Sequence, residues 1–299
     1  MSDIKLFSLK NGVTELPASA AALEVELQRL IEDNMLTFFG VDFLKTEFIT
    51  SNGGRIDSIG IDENNCPVIF EYKRSLNENV INQGLFYLDW LLDHKADFKL
   101  LVMEKLSKDR SDKIDWTMKP RLICVAGDFT KYDEHAVKQI NHNIDLVRYK
   151  KFGDGLLMLE LMTSNTASPL KDEIKPVNAK QYKDKTFEEQ LSLAEPKTKE
   201  LYQNLTNYIL ALGDDVSENR LKVYCAFRKI KNFVCALIPS KTITLYLRLN
   251  PDHVVLEPGF TRDVRKIGHW GTGDLEVYIK STADYEKAKP LIDRAYNEN

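Results

Sequence analysis

The sequence has no paired cysteines. Cys66, Cys124, Cys225 and Cys235 stand singly in apolar or strand-like surroundings, with no CxxC pair. That pattern argues against a disulfide framework or a structural zinc, and for reduced core thiols in a cytoplasmic protein. No apolar run approaches the ~20 residues a membrane-spanning helix needs, and the N-terminal MSDIKLFSLKNG lacks the apolar core of a signal peptide. Neither GxxxxGKS/T nor GxGxxG occurs, so ATP and dinucleotide binding have no motif to rest on. There is no excess of positive charge: a net charge of -4 excludes a polycationic nucleic-acid coat but leaves room for a local basic groove. Internal repeats and low-complexity tracts are absent as well.

What remains is an ordinary globular composition, 43% hydrophobic and 29% charged over 299 residues, enough for two domains. Apolar residues at 23, 27, 30 and 31 give a helical rhythm after Ser19, a candidate N-cap. LKTEFIT, RIDSIGID and PVIFEYK are short and β-branched or aromatic enough for strands. A long apolar helix is expected over residues 79–98, then a strand KLLVME, a strand RLICVAG, a helix YDEHAVKQIN and strands IDLVRYKKF and LLMLELM. These compose a mixed α/β domain over residues 1–165. Residues 166–190 are polar and charged with little apolar pattern, and are expected to be a linker. Residues 191–299 predict an α+β domain: a helix closed by Gly213, strand candidates LKVYCAFR, NFVCALIP, TITLYLRLN and LEVYIK, and a last helix TADYEKAKPLIDRAYNEN.

One ribbon carries charge where an apolar hairpin has no use for it. In GGRIDSIGIDENNCPVIFEYKR, Asp57 and Glu71 each lie seven residues from Asn64, the centre of the turn. A regular antiparallel ladder makes such residues cross-strand neighbours. Glu71 and Lys73 alternate by two and share a face. PVIFEYK is apolar on both faces before Glu71, as in an interior strand covered on both sides. Two carboxylates opposite each other are unfavourable unless a cation lies between them. A hard divalent ion with oxygen ligands resolves the conflict: Mg2+ when a phosphate completes its shell, with Mn2+ as a substitute. The competing reading is a solvated, amphipathic ribbon.

A strand Asp in GRID, a second strand ending EYKR, and a helix INQGLFYL together resemble the PD-(D/E)XK nuclease superfamily, and within it the branch of RecB-type and NucS nucleases. The name-giving Pro-Asp is Ile56-Asp57 in this sequence. The resemblance implies a restriction-endonuclease-like mixed sheet flanked by helices, and a metal-dependent DNA endonuclease acting in repair or in phage defence and restriction. It implies Asp57, Glu71 and the carbonyl of Tyr72 as metal ligands, and Lys73 as the group that orients or deprotonates the attacking water. Glu24, favoured over Glu26 by spacing, would assist the metal or its water. Gln83 would hold Lys73 or a phosphate, as would Tyr87, a nucleic-acid contact.

Other candidates are weaker. Glu47 reads as an exposed strand carboxylate, and His135 and His142, seven apart on an expected helix, lack a third ligand. In the second domain, residues 220–250 hold seven basic residues and no acidic one, interleaved with Tyr224, Phe227, Phe233 and Tyr246. Arg228, Lys229 and Lys231 therefore stand as candidate nucleic-acid contacts, against a plain core-and-surface sheet. GFTRDVRKIGHWGTGD is either an anion-binding nest or a loop whose Trp270 plugs the core. The C-terminal region also resembles an uncharacterised domain at the end of GmrSD-like restriction proteins. The partner is expected to be DNA, without a membrane, and a homodimer is the simplest way to cut both strands. The alternative is a non-catalytic nucleic-acid-binding or protein-docking protein on the same fold.

Overall fold

The isoleucine-rich stretch that ends at residue 62 and the apolar run that begins at residue 67 fold back on each other through a tight turn. Asp62 fixes that turn: its carboxylate accepts the backbone N–H of Asn64 at 2.8 Å and of Cys66 at 2.9 Å. Asn65 takes the left-handed conformation that completes it. The structure, a computed structural model, describes residues 4–19, 24–73, 80–153, 155–167, 185–239 and 241–299. The chain divides into two units, residues 1–169 and 170–299.

The first unit runs β1 (Leu6–Ser8), β2 (Thr14–Leu16), β3 (Ala18–Ser19), α1 (Glu24–Asp33), α2 (Met35–Phe39), β4 (Val41–Ile49), β5 (Arg55–Asp62), β6 (Pro67–Lys73), α3 (Val80–Asp93), α4 (Lys95–Lys105), α5 (Lys108–Asp112), β7 (Arg121–Ala126), α6 (Lys131–Gln139), β8 (Asn143–Phe152) and β9 (Leu156–Asn165). β1 and β2 form a separate hairpin. The remaining strands make one mixed sheet in the order β3-β8-β7-β6-β5-β4, with β9 also on β8. β4, β5 and β6 are an antiparallel meander; β6, β7 and β8 are parallel. β6 and β7 are buried almost throughout, because helices cover both faces. Phe39 of α2 packs edge-on against Phe70, with ring centroids 5.1 Å apart. On the other face α3 lays Val80, Ile81, Leu88 and Leu91 over Ile69, Leu122 and Cys124. The expected mixed sheet flanked by helices is present.

Several boundaries differ from expectation. KLLVME is helical, within α4, since Phe98, Leu101 and Val102 fall on one helical stripe and are the buried residues there. The long helix breaks at His94, which departs from helical geometry. Ser19 pairs with Lys151 in a strand rather than heading α1, and residues 20–23 lie outside the described residues. α6 ends at Gln139, so His142 does not share its face with His135.

The second unit comprises α7 (Phe187–Leu193), α8 (Pro196–Leu210), β10 (Ser217–Arg220), β11 (Cys225–Arg228), β12 (Asn232–Leu237), β13 (Ile243–Leu247), β14 (Thr261–Asp263), β15 (Leu275–Ile279) and α9 (Thr282–Asn297). Its sheet is antiparallel in the order β10-β11-β12-β13-β15-β14. One face packs Phe227, Leu245, Leu247 and Val277 against Leu205, Ile209, Ala288 and Ile292 of the helices. Residues 187–190 of the expected linker begin α7, capped by Thr186 and anchored by the buried Phe187; residues 168–184 lie outside the described residues. α8 stops at Leu210, so Gly213 is not its cap. Gly213 is instead a close approach, where a Cβ would run into the Tyr296 hydroxyl. Among the described residues no helix is long and apolar enough to cross a membrane.

α3 lies so close to β7 that a Cβ on Gly84 would strike the Leu122 side chain. Gly84→Val should therefore destabilise the protein by about 2 kcal/mol or more through overpacking, read as a lowered denaturation midpoint. An unchanged midpoint would mean the helix has room to move.

Candidate active site at the end of the inner strands

The β5–β6 ladder runs from Ile61↔Pro67 to Ser58↔Phe70. One step further the register sets Asp57 opposite Glu71, and there side chains replace the ladder. The Asp57 N–H donates to Glu71 Oε1 at 3.4 Å, and the Tyr72 N–H donates to Asp57 Oδ2 at 3.0 Å. The two carboxyl groups thus meet at the end of strands buried on both faces.

Their environment is hostile to charge. Glu71 is fully buried, and its Oε2 has no hydrogen-bond partner among the described residues. Burial, and then the charge of Asp57, push its carboxyl up to about 9. Burial also raises the Asp57 carboxyl, opposed by the Tyr72 N–H and by Lys73. Lys73, on the same face as Glu71, donates to Glu24 Oε1 at 3.2 Å, so the first described turn of α1 supplies the lysine's counter-charge. Glu26 points to solvent. The structure therefore brings Glu24, Asp57, Glu71 and Lys73 together. The Tyr72 ring lies on the opposite face and is buried.

Gln83 and Tyr87 take other partners than expected. The Gln83 amide donates to the Tyr87 hydroxyl at 3.3 Å rather than to a group on Lys73. Tyr87 is only 5% exposed, and its hydroxyl accepts the Arg55 N–H at 3.1 Å. It anchors the start of β5, two residues before Asp57, and offers no face to a nucleic acid. Gly54 permits this, since a Cβ there would lie 2.5 Å from the Tyr87 ring. Glu47 is exposed and pairs with Arg55 at 3.1 Å.

Gln28, Glu32 and Ser58 escaped the sequence reading. Gln28 donates to the Asp57 carbonyl at 2.9 Å, and Ser58 donates to Glu32 at 2.5 Å. The available signal was the spacing of Glu24, Gln28 and Glu32, one polar row at intervals of four along α1.

Among the described residues no group of three or more His, Cys, Asp and Glu side chains is placed to hold a metal ion. The donors at hand are two carboxylates and backbone carbonyls. That set suits Mg2+, which takes one or two carboxylates and keeps several waters. The buried Glu71 Oε2, without a hydrogen-bond partner among the described residues, is an acceptor that such an ion would satisfy.

The C-terminal candidates are differently placed. Arg228 is 5% exposed, with its Nε 3.4 Å from Ser217 Oγ. Lys229 sits 4.4 Å over the Tyr296 ring and 3.7 Å from Asp215. Lys231 is half-buried. Arg220 bonds Glu218 and Glu188, and Lys241 bonds Glu195. Tyr224, Phe227, Phe233 and Tyr246 are all buried. Three of the seven basic residues, Arg220, Lys229 and Lys241, thus meet acids from outside the run, and the aromatic residues between them face the core. Trp270 is 40% exposed and does not plug the core. The neighbouring Arg262 and Arg265 are held by Glu276, Asp252 and Asp263.

Residues 187–299 match the family model described as a domain of unknown function, DUF5655. An uncharacterised protein of Haemophilus influenzae is 30% identical over 308 aligned residues, covering 99% of this chain and all of the relative. Among solved structures, a repair endonuclease from Pyrococcus abyssi matches 44% of this chain at 18% identity with a TM-score of 0.29. EndoMS without ligand matches 46% at 18% identity and 0.28, and an EndoMS complex with double-stranded DNA matches 44% at 21% and 0.27. Each match spans 47–49% of the solved chain, about half its length.

Glu71 and Asp57 have a consequence for stability. Between the ordinary glutamate value of 4.5 and about 9, the unfolded chain releases a proton that folded Glu71 keeps. Stability of the metal-free protein therefore falls as pH rises across that window, and the raised Asp57 acts in the same direction. The thermal midpoint should drop between about pH 5 and pH 9, and Glu71→Gln should flatten the decline. A midpoint that rises with pH in both proteins would show that Glu71 is not held as the neutral acid.

Proposed function

We propose that this chain, which belongs to one family with the Haemophilus influenzae protein, is a metal-dependent endonuclease that hydrolyses phosphodiester bonds in DNA. The carrying observation is the meeting of Asp57, Glu71 and Lys73 at one buried strand end, with Glu71 left one bond short. Solvent-facing charges on a ribbon would need none of this: they would be hydrated and apart.

Asp57, Glu71 and the Tyr72 carbonyl are the groups that would hold the Mg2+. When bound, such an ion polarises a phosphate oxygen and lowers the pKa of its water. The chain's own residues supply the rest. Replacing the shared proton of the Asp57–Glu71 pair by a cation leaves both carboxylates ionised, so binding strengthens as pH rises. Lys73 places a positive charge on the same face as Glu71 and can steady the charge that develops on the phosphate. Glu24 holds the Lys73 ammonium in register from the α1 side. Tyr87 and Gln83 work at one remove, fixing the β5 end that carries Asp57. Cutting both strands of a duplex is simplest with two such sites, which a homodimer would supply.

Lys73→Ala should lower the single-turnover cleavage rate at least about 100-fold, since it removes a charge that acts mainly on the transition state. DNA affinity, measured by fluorescence anisotropy in Ca2+, should change by less than about threefold. Chelation of divalent ions should abolish cleavage in the wild type, and Asp57→Asn should do the same with the ion present. Cleavage that survives chelation would overturn the metal-dependent reading.

A further inference from the structure

Asp57 is held to the sheet in an unusual way. On the β6 side the ladder begins only at Ser58. On the β4 side the pairs run Thr46↔Ser58 and then Phe48↔Ile56, passing over Asp57 and its opposite number Glu47. Glu47 has a φ of 45°, a left-handed conformation that a glutamate adopts only under constraint. So the ladder is interrupted on both sides of the residue whose carboxylate matters most.

Side chains take over. The Asp57 N–H goes to Glu71 Oε1, and the Asp57 carbonyl accepts from Gln28 Nε2 at 2.9 Å. Gln28 is 7% exposed, and the same nitrogen lies 3.0 Å from Glu32 Oε1 and 3.0 Å from Thr46 Oγ1. A carbonyl and a carboxylate can only accept, so the nitrogen end of the amide must face them. One turn earlier on the same helix face, Glu24 holds Lys73. α1 therefore reaches both halves of the site, the lysine through Glu24 and the aspartate through Gln28.

We propose that Gln28 is a positioning residue for divalent-cation binding: it fixes the Asp57 main chain where the ladder cannot, and thereby sets the spacing of the Asp57 and Glu71 carboxylates. This rests on the metal-dependent reading above. Groups that orient a metal ligand typically change affinity 10–100-fold when removed. A purely structural glutamine would lower stability and leave affinity alone.

The test is Mn2+ affinity of the full chain by titration calorimetry or electron paramagnetic resonance, beside thermal stability. Gln28→Met keeps the length of the side chain and removes the donor; it should weaken Mn2+ binding about 10–100-fold. Thr46→Val removes an exposed acceptor of the same amide without touching Asp57 and should stay within about threefold of wild type. Should Gln28→Met fail to fold, Gln28→Asn, which retains the amide but is too short to reach Asp57, should show the same loss. Unchanged affinity in the Gln28 variants, or equal weakening by Thr46→Val, overturns this inference alone. Absence of Mn2+ binding in the wild type overturns the metal-dependent reading itself and the inference with it.

Discussion

Two carboxyl groups pressed together in a poorly hydrated place set the terms for everything around them. Asp57 and Glu71 meet at the end of inner strands, Glu71 fully buried and Asp57 half-buried, so water does little to relieve their repulsion. A buried like-charged pair has two exits, a proton or a cation. The raised carboxyls describe the first exit; the buried Glu71 Oε2, without a hydrogen-bond partner among the described residues, is the oxygen the second would use. Lys73 tempers the charge without removing the problem, because its ammonium is shared with Glu24.

Holding such a pair together demands support from elsewhere, and it converges on one short stretch of β5. Tyr87 of α3 takes the Arg55 N–H from one end, with Gln83 on its hydroxyl. Gln28 of α1 takes the Asp57 carbonyl, and Glu32 takes the Ser58 hydroxyl. Residues 55–58 are thus gripped by two helices on opposite faces of the sheet. This stretch also faces the left-handed Glu47, where the regular ladder with β4 lapses. Ladder bonds alone would hold a strand; here side chains hold a particular residue at a particular height.

The second unit shows how far composition can mislead about a surface. Its basic run has no acid within it, yet Glu188, Glu195, Asp215 and Glu218, all before the run, meet Arg220, Lys229 and Lys241. The aromatic residues between them fill the core instead of a binding face. The unit's Glu276 is likewise buried, bonded by Tyr246, Tyr278 and Arg262. Local charge density said little because the acids that meet these bases lie before the run, between residues 188 and 218.

The sequence by itself determined what depends on neighbours along the chain. β-branched and aromatic content placed β5 and β6 to the residue, and the symmetry about Asn64 placed Asp57 opposite Glu71. It also singled out Glu24 and Lys73, whose meeting then needed only the helix to return over the sheet. What depends on partners far along the chain had to wait for the tertiary structure. Whether KLLVME was helix or strand turned on which residues found a core to pack against. Gln83 and Tyr87 proved to serve the β5 backbone, because the hydroxyl of Tyr87 reaches an N–H that no pattern announces. Arg228 was buried because its strand lies inside the sheet, between β10 and β12. Gln28, an unremarked glutamine in a helix, gained its place because Asp57 lost its ladder, and a hydrogen bond left open on one strand can be seen only once its neighbours are laid beside it.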